Sequence, residues 1–344
     1  MNVISFLERT WGRMLGERKT SDEKYAWYVR RLVSNRYMKA LLMPHYKEVG
    51  KADKKEEKIV FCLYNGMVRQ GGLADRLRGI ISTYYICKQQ GVRFRIVFTH
   101  PFNLRDYLEP NIYDWYADSS SVSFDIPEKN ILMLDTILGS DYEKRHQQKW
   151  LYSHIKEAKG QVHVYTNAPF SYNHGYHELF NELFKPSLRL KEAIEKELDV
   201  LKEGYISVSC RFLDLLGDFN ETCGYKEQLT ESERESLLDM LTKCIEMLHT
   251  NHPNKKVLCN SDSKIFLTKV STLDYTYVIP GEITHIDAHD SNGDYHFYEK
   301  TFLDFFMIAH ADYIYMLKMG KMHNSGYPYA ASLVYDKPYS VICS

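Results

Sequence analysis

A glycine-rich stretch between an apolar strand and an amphipathic helix restricts most strongly how this chain can fold. The run Ile59–Tyr64 is continuously apolar, as in a strand that is buried on both faces. Glycines follow at positions 66, 71 and 72, and apolar residues then recur at helical spacing over residues 73–84. The order strand, glycine loop, helix predicts the first unit of a parallel α/β sheet.

The glycine loop can serve either as a tight turn or as a cradle for an anion. Glycine permits positive φ and close approach of a ligand, and the start of the next helix offers unpaired N–H groups. The spacing matches neither the P-loop nor the dinucleotide fingerprint. Asp75 suits the first helical turn, whereas Arg76 and Arg78 oppose the helix dipole there. An anionic ligand would explain both arginines, so we predict Gly71, Gly72, Asp75 and Arg76 as binding residues.

The composition is that of a globular protein with room for two domains. The chain has 344 residues, of which 44% are hydrophobic and 26% are charged. Its net charge of -1 argues against a nucleic-acid partner. The seven cysteines form no CxxC pair, and no apolar run of about 18 residues could span a membrane. With no signal-peptide pattern at the N-terminus, these features predict a cytoplasmic protein.

The N-terminal part of the chain is basic, although the whole chain is nearly neutral. Residues 1–51 contain 11 Lys/Arg and five Asp/Glu, a local net charge of +6. Over residues 24–43, apolar residues fall on one helical face, with Arg30, Arg31 and Lys39 away from it. Such a helix either lies on an anionic membrane surface or packs on its own domain with a solvated basic side. The predicted apolar face comprises Tyr25, Tyr28, Val29, Leu32, Val33, Tyr37, Ala40 and Leu41.

Strand and helix patterns alternate along the rest of the chain. The first half has strand patterns over 59–64, 93–98, 131–134 and 162–165 and a helix pattern over 73–90. After a charged helix over 188–202, strands are predicted over 205–211, 256–260, 275–279, 313–319 and 339–342, with helices over 231–249, 263–271, 298–310 and 328–334. We therefore predict two Rossmann-like domains, residues 1–190 and 191–344, that face a central cleft. In such sheets, ligands bind beyond the carboxyl ends of the strands.

Arg211 stands at the carboxyl end of the first strand of the second half. A guanidinium group there can grip a phosphate with two parallel N–H bonds. The alternative is an ion pair with Asp214 or Asp218 that closes the following loop.

Two further polar segments follow strands of the second half. Ser261 and Asp262 come after the next strand, where they can bond a ribose or cap the following helix. Asn324, Ser325 and Gly326 precede a short helix, which makes a second loop suited to a diphosphate. Together, these segments place anion-binding features on both predicted domains.

One polar loop contains side chains of the kinds that bind zinc or manganese. Their spacing fits no helix face and no known metal loop, so we predict no metal site. The favoured alternative is a solvated loop or one that contacts a nucleotide base. The side chains are His285, Asp287, His289, Asp290 and Asp294.

Several short motifs occur in a fixed order along the chain. They are Gly71-Gly72-Leu73-Ala74-Asp75-Arg76-Leu77, Ser209-Cys210-Arg211 with Gly217-Asp218, Ser261-Asp262, Thr301-Phe302-Leu303-Asp304-Phe305-Phe306 with Ala311-Asp312, and Asn324-Ser325-Gly326. As an ordered set, they resemble the fucosyltransferase superfamily, which includes the nodulation, plant cell-wall and protein O-fucosyltransferases. The resemblance covers roughly residues 59–342. In this chain Ser209 replaces a histidine that is frequent in the superfamily, and Ala74-Asp75-Arg76 is closer to the Gly-Asp-Arg version of the plant enzymes.

The resemblance implies a GT-B fold, GDP-fucose as the donor, inversion at the anomeric carbon, and no metal or cofactor. We predict a fucosyltransferase that acts on a hydroxyl of a bacterial surface-glycan precursor, which can be lipid-linked, at the inner face of the plasma membrane. The expected partners are the nucleotide-sugar donor, the glycan acceptor and an anionic membrane surface. The alternatives are a sugar- or nucleotide-binding protein that has lost catalysis, and a metal-dependent hydrolase built on the 285–294 loop.

The resemblance also suggests roles for individual residues. Arg211 would neutralise the departing β-phosphate, assisted by N–H groups of the two glycine-containing loops. Asp218 is the predicted general base because it follows a glycine just beyond Arg211. Asp214, Glu221 and Asp75 are its rivals.

Overall fold

The chain folds into layered β-sheets and helices, as a computed structural model shows for residues 35–46, 57–134, 141–168, 175–219, 227–284, 286 and 294–343. In chain order, the strands are β1 (Ile59–Tyr64), β2 (Arg93–Phe98), β3 (Leu108–Pro110), β4 (Ile131–Leu134), β5 (Gln161–Thr166), β6 (Phe184–Pro186), β7 (Tyr205–Cys210), β8 (Lys256–Ser261), β9 (Thr276–Tyr277), β10 (Tyr313–Lys318) and β11 (Tyr339–Cys343). The helices are α1 (Leu73–Gln90), α2 (Asp141–Glu157), α3 (Tyr176–Leu183), α4 (Leu188–Val200), α5 (Glu231–Asn251), α6 (Lys264–Val270), α7 (Tyr295–His310) and α8 (Gly326–Ser332).

Two parallel sheets form the centre of the molecule. The first has four strands in the order β2–β1–β5–β4, and the second has five in the order β11–β10–β7–β8–β9. Strands β3 and β6 pair antiparallel as a small separate sheet. The predicted α/β class with two parallel sheets is therefore confirmed. The division into domains at residue 190 lies between the two sheets and stays a prediction.

Local sequence signals explain where the main helices begin and end. Helix α1 starts after Gly72 and ends at Gly91, which takes the left-handed conformation at φ 63° that favours glycine. Helix α5 begins with the predicted capping box, in which the side chains of Thr230 and Glu233 each bond the other's backbone N–H. Because each sheet is covered by helices, β1 and β7 are buried over nearly their whole length.

Stacked aromatic rings join the two halves of the chain. The ring of Tyr107 lies 4.2 Å from that of Phe302 with an interplanar angle of 3°, and its hydroxyl donates to the carbonyl of Tyr295 at 2.5 Å. Phe102 packs on Tyr298 at 4.7 Å between ring centroids. Helix α7 thus packs on a loop of the first half, so the apolar core continues from one half into the other.

Some apolar side chains of the helical residues 35–42 are buried and others are exposed to solvent. Leu42 is fully buried against the first sheet, whereas Tyr37 and Leu41 are 47% and 44% exposed. Lys39 donates to the carbonyl of Glu128 at 3.0 Å and pairs with its carboxylate at 3.4 Å. The C-terminal turns of the predicted basic helix therefore pack on the domain, yet two residues of the predicted apolar face remain exposed. Residues 24–34 of that helix lie outside the described residues. Among the described residues, no helix is both long and apolar enough to cross a bilayer.

A buried histidine stands in the middle of β5. The Nδ1 atom of His163 lies 2.7 Å from the hydroxyl of Tyr46, which is 2.9 Å from the hydroxyl of Tyr165. No part of the His163 side chain reaches solvent. Burial disfavours the charged imidazolium and lowers the pKa of His163 to about 3.

This histidine should make the protein less stable in acid. Between its ordinary pKa of 6.5 and the lowered pKa of about 3, the unfolded chain binds a proton that the folded chain does not. The contribution of His163 to the free energy of unfolding should therefore fall by about 1.4 kcal/mol per pH unit as the pH decreases through this window. Urea unfolding of wild type and His163→Gln at pH 7, 6 and 5 measures it. The stability deficit of the variant should shrink as the pH falls, and equal pH slopes for both proteins would contradict the prediction.

Candidate active site

The glycine loop after β1 is closed by its own arginine. Gly71 adopts φ +73°, and a Cβ atom there would lie 2.5 Å from Oδ2 of Asp75, so the turn requires glycine. The Nε atom of Arg76 donates to the carbonyl of Gly71 at 2.8 Å, and its Nη1 donates to the carbonyl of His100 at 2.7 Å. The guanidinium also lies 5.3 Å from the ring centroid of Phe98. Arg76 thus fastens the glycine loop to the loop after β2.

Arg78 connects helix α1 to the residue that follows β5. Its Nε donates to the carbonyl of Asn167 at 3.1 Å, and its Nη2 pairs with Asp75 at 2.5 Å. Both arginines of the first helical turns therefore have partners within the protein, which explains their presence without a bound anion. The role of Gly71, Gly72, Asp75 and Arg76 in ligand binding stays a prediction.

Arg211 lies at the carboxyl end of β7, and its ion-pair partner is Asp262. The Nη1 atom of Arg211 is 3.2 Å from Oδ2 of Asp262, and the two side chains are 16% and 3% exposed. The guanidinium also lies 5.1 Å from the ring centroid of Phe219. The carbonyl of Arg211 accepts the N–H of His323 at 3.0 Å. Arg211 is thus held from several sides at the edge where parallel sheets bind ligands.

Asp262 organises the turn that follows Arg211. Its carboxylate accepts the N–H of Phe212 at 2.9 Å and the N–H of Leu213 at 2.8 Å. Leu213 has φ 57°, a left-handed conformation that is unfavourable for leucine. Burial raises the pKa of Asp262, while Arg211 and the two N–H groups oppose that rise. We therefore interpret Asp262 as the residue that positions Arg211 and its turn.

Asp218 is engaged at the start of α6. Its Oδ2 accepts the hydroxyl of Ser263 and the N–H of Ile265, both at 2.8 Å. Oδ1 is buried, and within the described part of the chain it has no hydrogen-bond partner. Ser261 accepts the N–H of Ser263 at 3.1 Å, which is part of the same turn. Asp218 and Ser261 therefore both bond the turn between β8 and α6.

The other carboxylates that were considered as the general base have different hydrogen-bond partners. The carboxylate of Asp214 accepts the amide N–H of Gln228, whose nitrogen is 3.2 Å from each carboxylate oxygen. Asp75 pairs with Arg78. Glu221 lies outside the described residues. None of these contacts selects one of the predicted carboxylates as the general base, so that assignment stays a prediction.

The loop of Asn324, Ser325 and Gly326 leads directly into α8. Ser325 caps the helix by accepting the N–H of Tyr327 at 3.2 Å. A Cβ atom at Gly326 would meet nothing within 4 Å, so the space beside this glycine is open. Helix α8 packs against α1. The two helices that follow the predicted phosphate loops are thus in contact, one from each half of the chain.

Two buried polar atoms near Arg211 belong to residues that we did not predict as site residues. Ser209 Oγ and Asn260 Oδ1 are buried and lack a hydrogen-bond partner within the described ranges. They lie on adjacent strands, because Ser209 pairs with Asn260 in the β7–β8 register. The signal that could have identified them is a polar residue near the carboxyl end of each of two mainly apolar strands.

The polar loop at 285–294 can be compared with the prediction only at its end. Asp294 caps α7 by accepting the N–H of His296 at 2.9 Å. His285, Asp287, His289 and Asp290 lie outside the described residues. Among the residues that are described, no group of three or more His, Cys, Asp or Glu side chains could hold a metal ion.

Fucosyltransferases of known structure share this fold. NodZ α-1,6-fucosyltransferase soaked with GDP-fucose has a TM-score of 0.52 at 13% identity, over 81% of this chain and 93% of that one. NodZ from Bradyrhizobium has a TM-score of 0.54 at 14% identity, over 81% and 92% of the two chains. An arginine-to-lysine mutant of Arabidopsis thaliana FUT1 in complex with GDP has a TM-score of 0.51 at 12% identity, over 89% and 74%. No protein-family profile and no curated protein sequence matches the chain.

The likeness concerns the arrangement of the two sheets and spans most of the chain. At 12% to 14% identity, this likeness shows a shared fold but assigns no role to individual side chains. The resemblance inferred from the ordered motifs is thereby confirmed at the level of the fold. This chain therefore shares the two-sheet GT-B fold of NodZ and of Arabidopsis thaliana FUT1.

Proposed function

We propose that this protein is an inverting fucosyltransferase that moves fucose from GDP-fucose to a hydroxyl group of a glycan acceptor. The observation that carries the proposal is the Arg211–Asp262 pair, a nearly buried guanidinium at the carboxyl end of a central strand. A guanidinium group recognises phosphate oxygens with two parallel N–H bonds. The fold supports a sugar nucleotide as the phosphate ligand, since NodZ was crystallised with GDP-fucose soaked in.

In this proposal, Arg211 stabilises the departing GDP. When the bond between the anomeric carbon and the β-phosphate oxygen breaks, negative charge develops on the diphosphate. Asp262 and Phe219 already hold the guanidinium in place, so little reorganisation is needed when the charge appears. The N–H groups at Gly72 and at Ser325-Gly326 are further donors at helix starts. This scheme assigns the charge stabilisation to protein groups and requires no metal ion.

The acceptor in this proposal is a precursor of a bacterial surface glycan, presented in lipid-linked form at the cytoplasmic face of the membrane. Tyr37 and Leu41 lie one helical turn apart and are both exposed, and Arg36 beside them is exposed as well. Apolar side chains within a basic segment of net charge +6 suit an anionic membrane surface. Lys39 takes no part in this contact, because it bonds Glu128.

Nucleotide binding is the first test of the proposal. GDP and GDP-fucose should raise the melting temperature, whereas UDP and NAD should not, because a ligand that binds only the folded state stabilises it by mass action. A differential scanning fluorimetry series at increasing nucleotide concentration measures the shift. If UDP alone stabilises the protein, the donor carries UDP and not GDP. Release of GDP from GDP-fucose, measured with and without EDTA, separates metal-independent transfer from metal-dependent hydrolysis and from binding without turnover.

Membrane binding is tested with anionic vesicles. The double variant Tyr37→Ser/Leu41→Ser should bind them at least about tenfold more weakly than wild type, since burying each apolar side chain contributes on the order of 1 kcal/mol or more. Binding by wild type should weaken with added salt, because the basic residues are screened. A matched control is Ile112→Ser/Leu188→Ser, which removes two exposed apolar side chains elsewhere. Equal binding by all three proteins, or none by wild type at low salt, argues against the membrane contact.

A further inference from the structure

A wide groove opens at the edge of the first sheet where strands β1 and β2 begin. It has a volume of about 690 Å³, which lies within the range of roughly 300–1,000 Å³ for pockets that hold small ligands. Its lining comes from the starts of both strands, with Lys58 and Arg93, from the end of α1, with Lys88 and Gly91, and from Glu182 at the end of α3. We call it the amino-edge groove.

The amino-edge groove lies far from the glycine loop of the same sheet. Strands β1 and β2 are parallel and have six residues each, so their two ends are about 20 Å apart at roughly 3.3 Å per residue. The glycine loop follows the carboxyl end of β1, whereas the groove lies at the amino end. A small ligand in the groove is therefore recognised by a different set of side chains.

Charged side chains that are already paired line the groove. Nζ of Lys88 pairs with Oε2 of Glu182, and Nη1 of Arg93 lies 3.3 Å from Oε2 of Glu57, which also lines the groove. Lys58 donates to a main-chain carbonyl of α2 at 2.7 Å. Each of these three cations thus has a partner within the protein. The partners hold the charged groups in place and balance most of their charge.

Two aromatic rings and an open turn complete the groove. The ring centroids of Tyr84 and Tyr113 lie 4.9 Å apart at an interplanar angle of 52°, and both residues line the groove. The hydroxyl of Tyr113 accepts the N–H of Phe94 at 2.8 Å and donates to its carbonyl at 3.0 Å, which fixes the ring. A Cβ atom at Gly91 would meet nothing within 4 Å, so the space beside this turn is open.

The ion pairs indicate which kind of ligand the groove can hold. An ionised glutamate only accepts hydrogen bonds, whereas lysine and arginine only donate them. An anion beside Lys88 would also lie beside Glu182 and be repelled by it, and a cation would be repelled by the lysine. A hydroxyl group suits both partners, because it donates to the carboxylate and accepts from the ammonium group. Neighbouring hydroxyl groups of a sugar ring therefore match the charged lining of the groove.

From these observations, we propose that the amino-edge groove binds a neutral oligosaccharide. The choice of a sugar among hydroxyl-bearing ligands rests on the proposed function, because a glycan is the acceptor of that reaction. The groove would hold a part of the glycan that is remote from the hydroxyl group to which fucose is transferred. It thus contributes to binding of the acceptor without taking part in the chemistry.

The test is the binding of neutral tetrasaccharides in the absence of nucleotide. Maltotetraose, cellotetraose and mannotetraose are titrated by isothermal titration calorimetry, with tetragalacturonic acid as an anionic comparison. At least one neutral sugar should bind, and Lys88→Ala/Arg93→Ala should bind it at least about tenfold more weakly, because hydrogen bonds to charged groups are lost. The double variant should melt close to wild type, since both ion pairs are partly exposed. Gly91→Asn should also weaken binding by filling the open space, because asparagine tolerates the left-handed conformation.

Controls separate this proposal from the proposed function. Lys191→Ala/Lys269→Ala removes two exposed, ion-paired cations elsewhere and should bind the sugar as wild type does. Equal binding by both double variants and wild type, or no binding of any neutral tetrasaccharide, would overturn the sugar site. Binding of tetragalacturonic acid alone would also overturn it and indicate an anion site. If a neutral sugar binds as expected while GDP-fucose is neither bound nor turned over, the proposed function fails and the groove remains a sugar site.

Discussion

Replacing Arg211 with alanine should lower kcat/KM for GDP-fucose by a factor that corresponds to about 2–4 kcal/mol of transition-state stabilisation. The guanidinium is preorganised by Asp262 and Phe219, so its loss removes a group that is already aimed at the edge of the sheet. The variant should still fold, because the buried Asp262, whose pKa is already raised, can take up a proton when its cation is gone. Steady-state kinetics well below the melting temperature measures the effect.

Two further variants define what the guanidinium contributes. Arg211→Lys keeps the charge but loses the fork that binds two phosphate oxygens, so it should recover only part of the activity. Arg189→Ala is a matched control, because Arg189 also lies over an aromatic ring, 3.7 Å from the centroid of Tyr295, but at the start of α4. The control should be as active as wild type. Near wild-type turnover in Arg211→Ala would remove this residue from the mechanism.

The strands and helices that bury continuous apolar runs were predictable from the sequence. Strands β1, β2 and β4 and helix α1 have the predicted bounds, and most strands and helices of the second half agree within one or two residues. Their signals are local, since strand runs are apolar throughout and helices repeat every three to four residues. The division of the chain into two parallel sheets follows from the same alternation.

The short elements that were missed depend on contacts between distant parts of the chain. Strands β3 and β6 have three residues each, and they exist because residues 108–110 pair with residues 184–186. Helix α3 has eight residues and starts at a glycine with no side-chain cap, so only its buried face, with Leu179, Phe180 and Leu183, marks it. Such short elements are stabilised by packing rather than by their own sequence.

Contacts between distant parts of the chain also limited the prediction of the candidate site. The sequence placed Arg211 at a strand end but offered Asp214 and Asp218 as its ion-pair partners, because both are near in the chain. The structure pairs it with Asp262, since the β7–β8 register sets Cys210 opposite Ser261 and so brings the two following residues side by side. Neighbouring strand ends in a parallel sheet were therefore the better guide.

Replacing Asp262 with alanine should have the largest effect on stability. Its carboxylate is 3% exposed and accepts the N–H groups of Phe212 and Leu213 while it faces Arg211. Without it, two backbone donors lose their partner and a nearly buried guanidinium loses its counter-ion. Breaking a buried pair in this way costs about 3–5 kcal/mol of the free energy of unfolding. Urea unfolding monitored by circular dichroism measures the loss.

The double variant Arg211→Ala/Asp262→Ala separates the ion pair from the turn that Asp262 holds. If the unpaired guanidinium carries most of the cost, the double variant should be more stable than Asp262→Ala alone, and the cycle should give a coupling energy of about 1–3 kcal/mol. If the loss of the turn's hydrogen bonds causes most of the destabilisation, Leu213→Gly should recover stability in the Asp262→Ala background. Glycine adopts φ 57° without strain. An Asp262→Ala protein as stable as wild type would show that neither contact holds this edge of the sheet together. Other contacts of Arg211, among them the ring of Phe219 and its own backbone bond to His323, would then keep it in position.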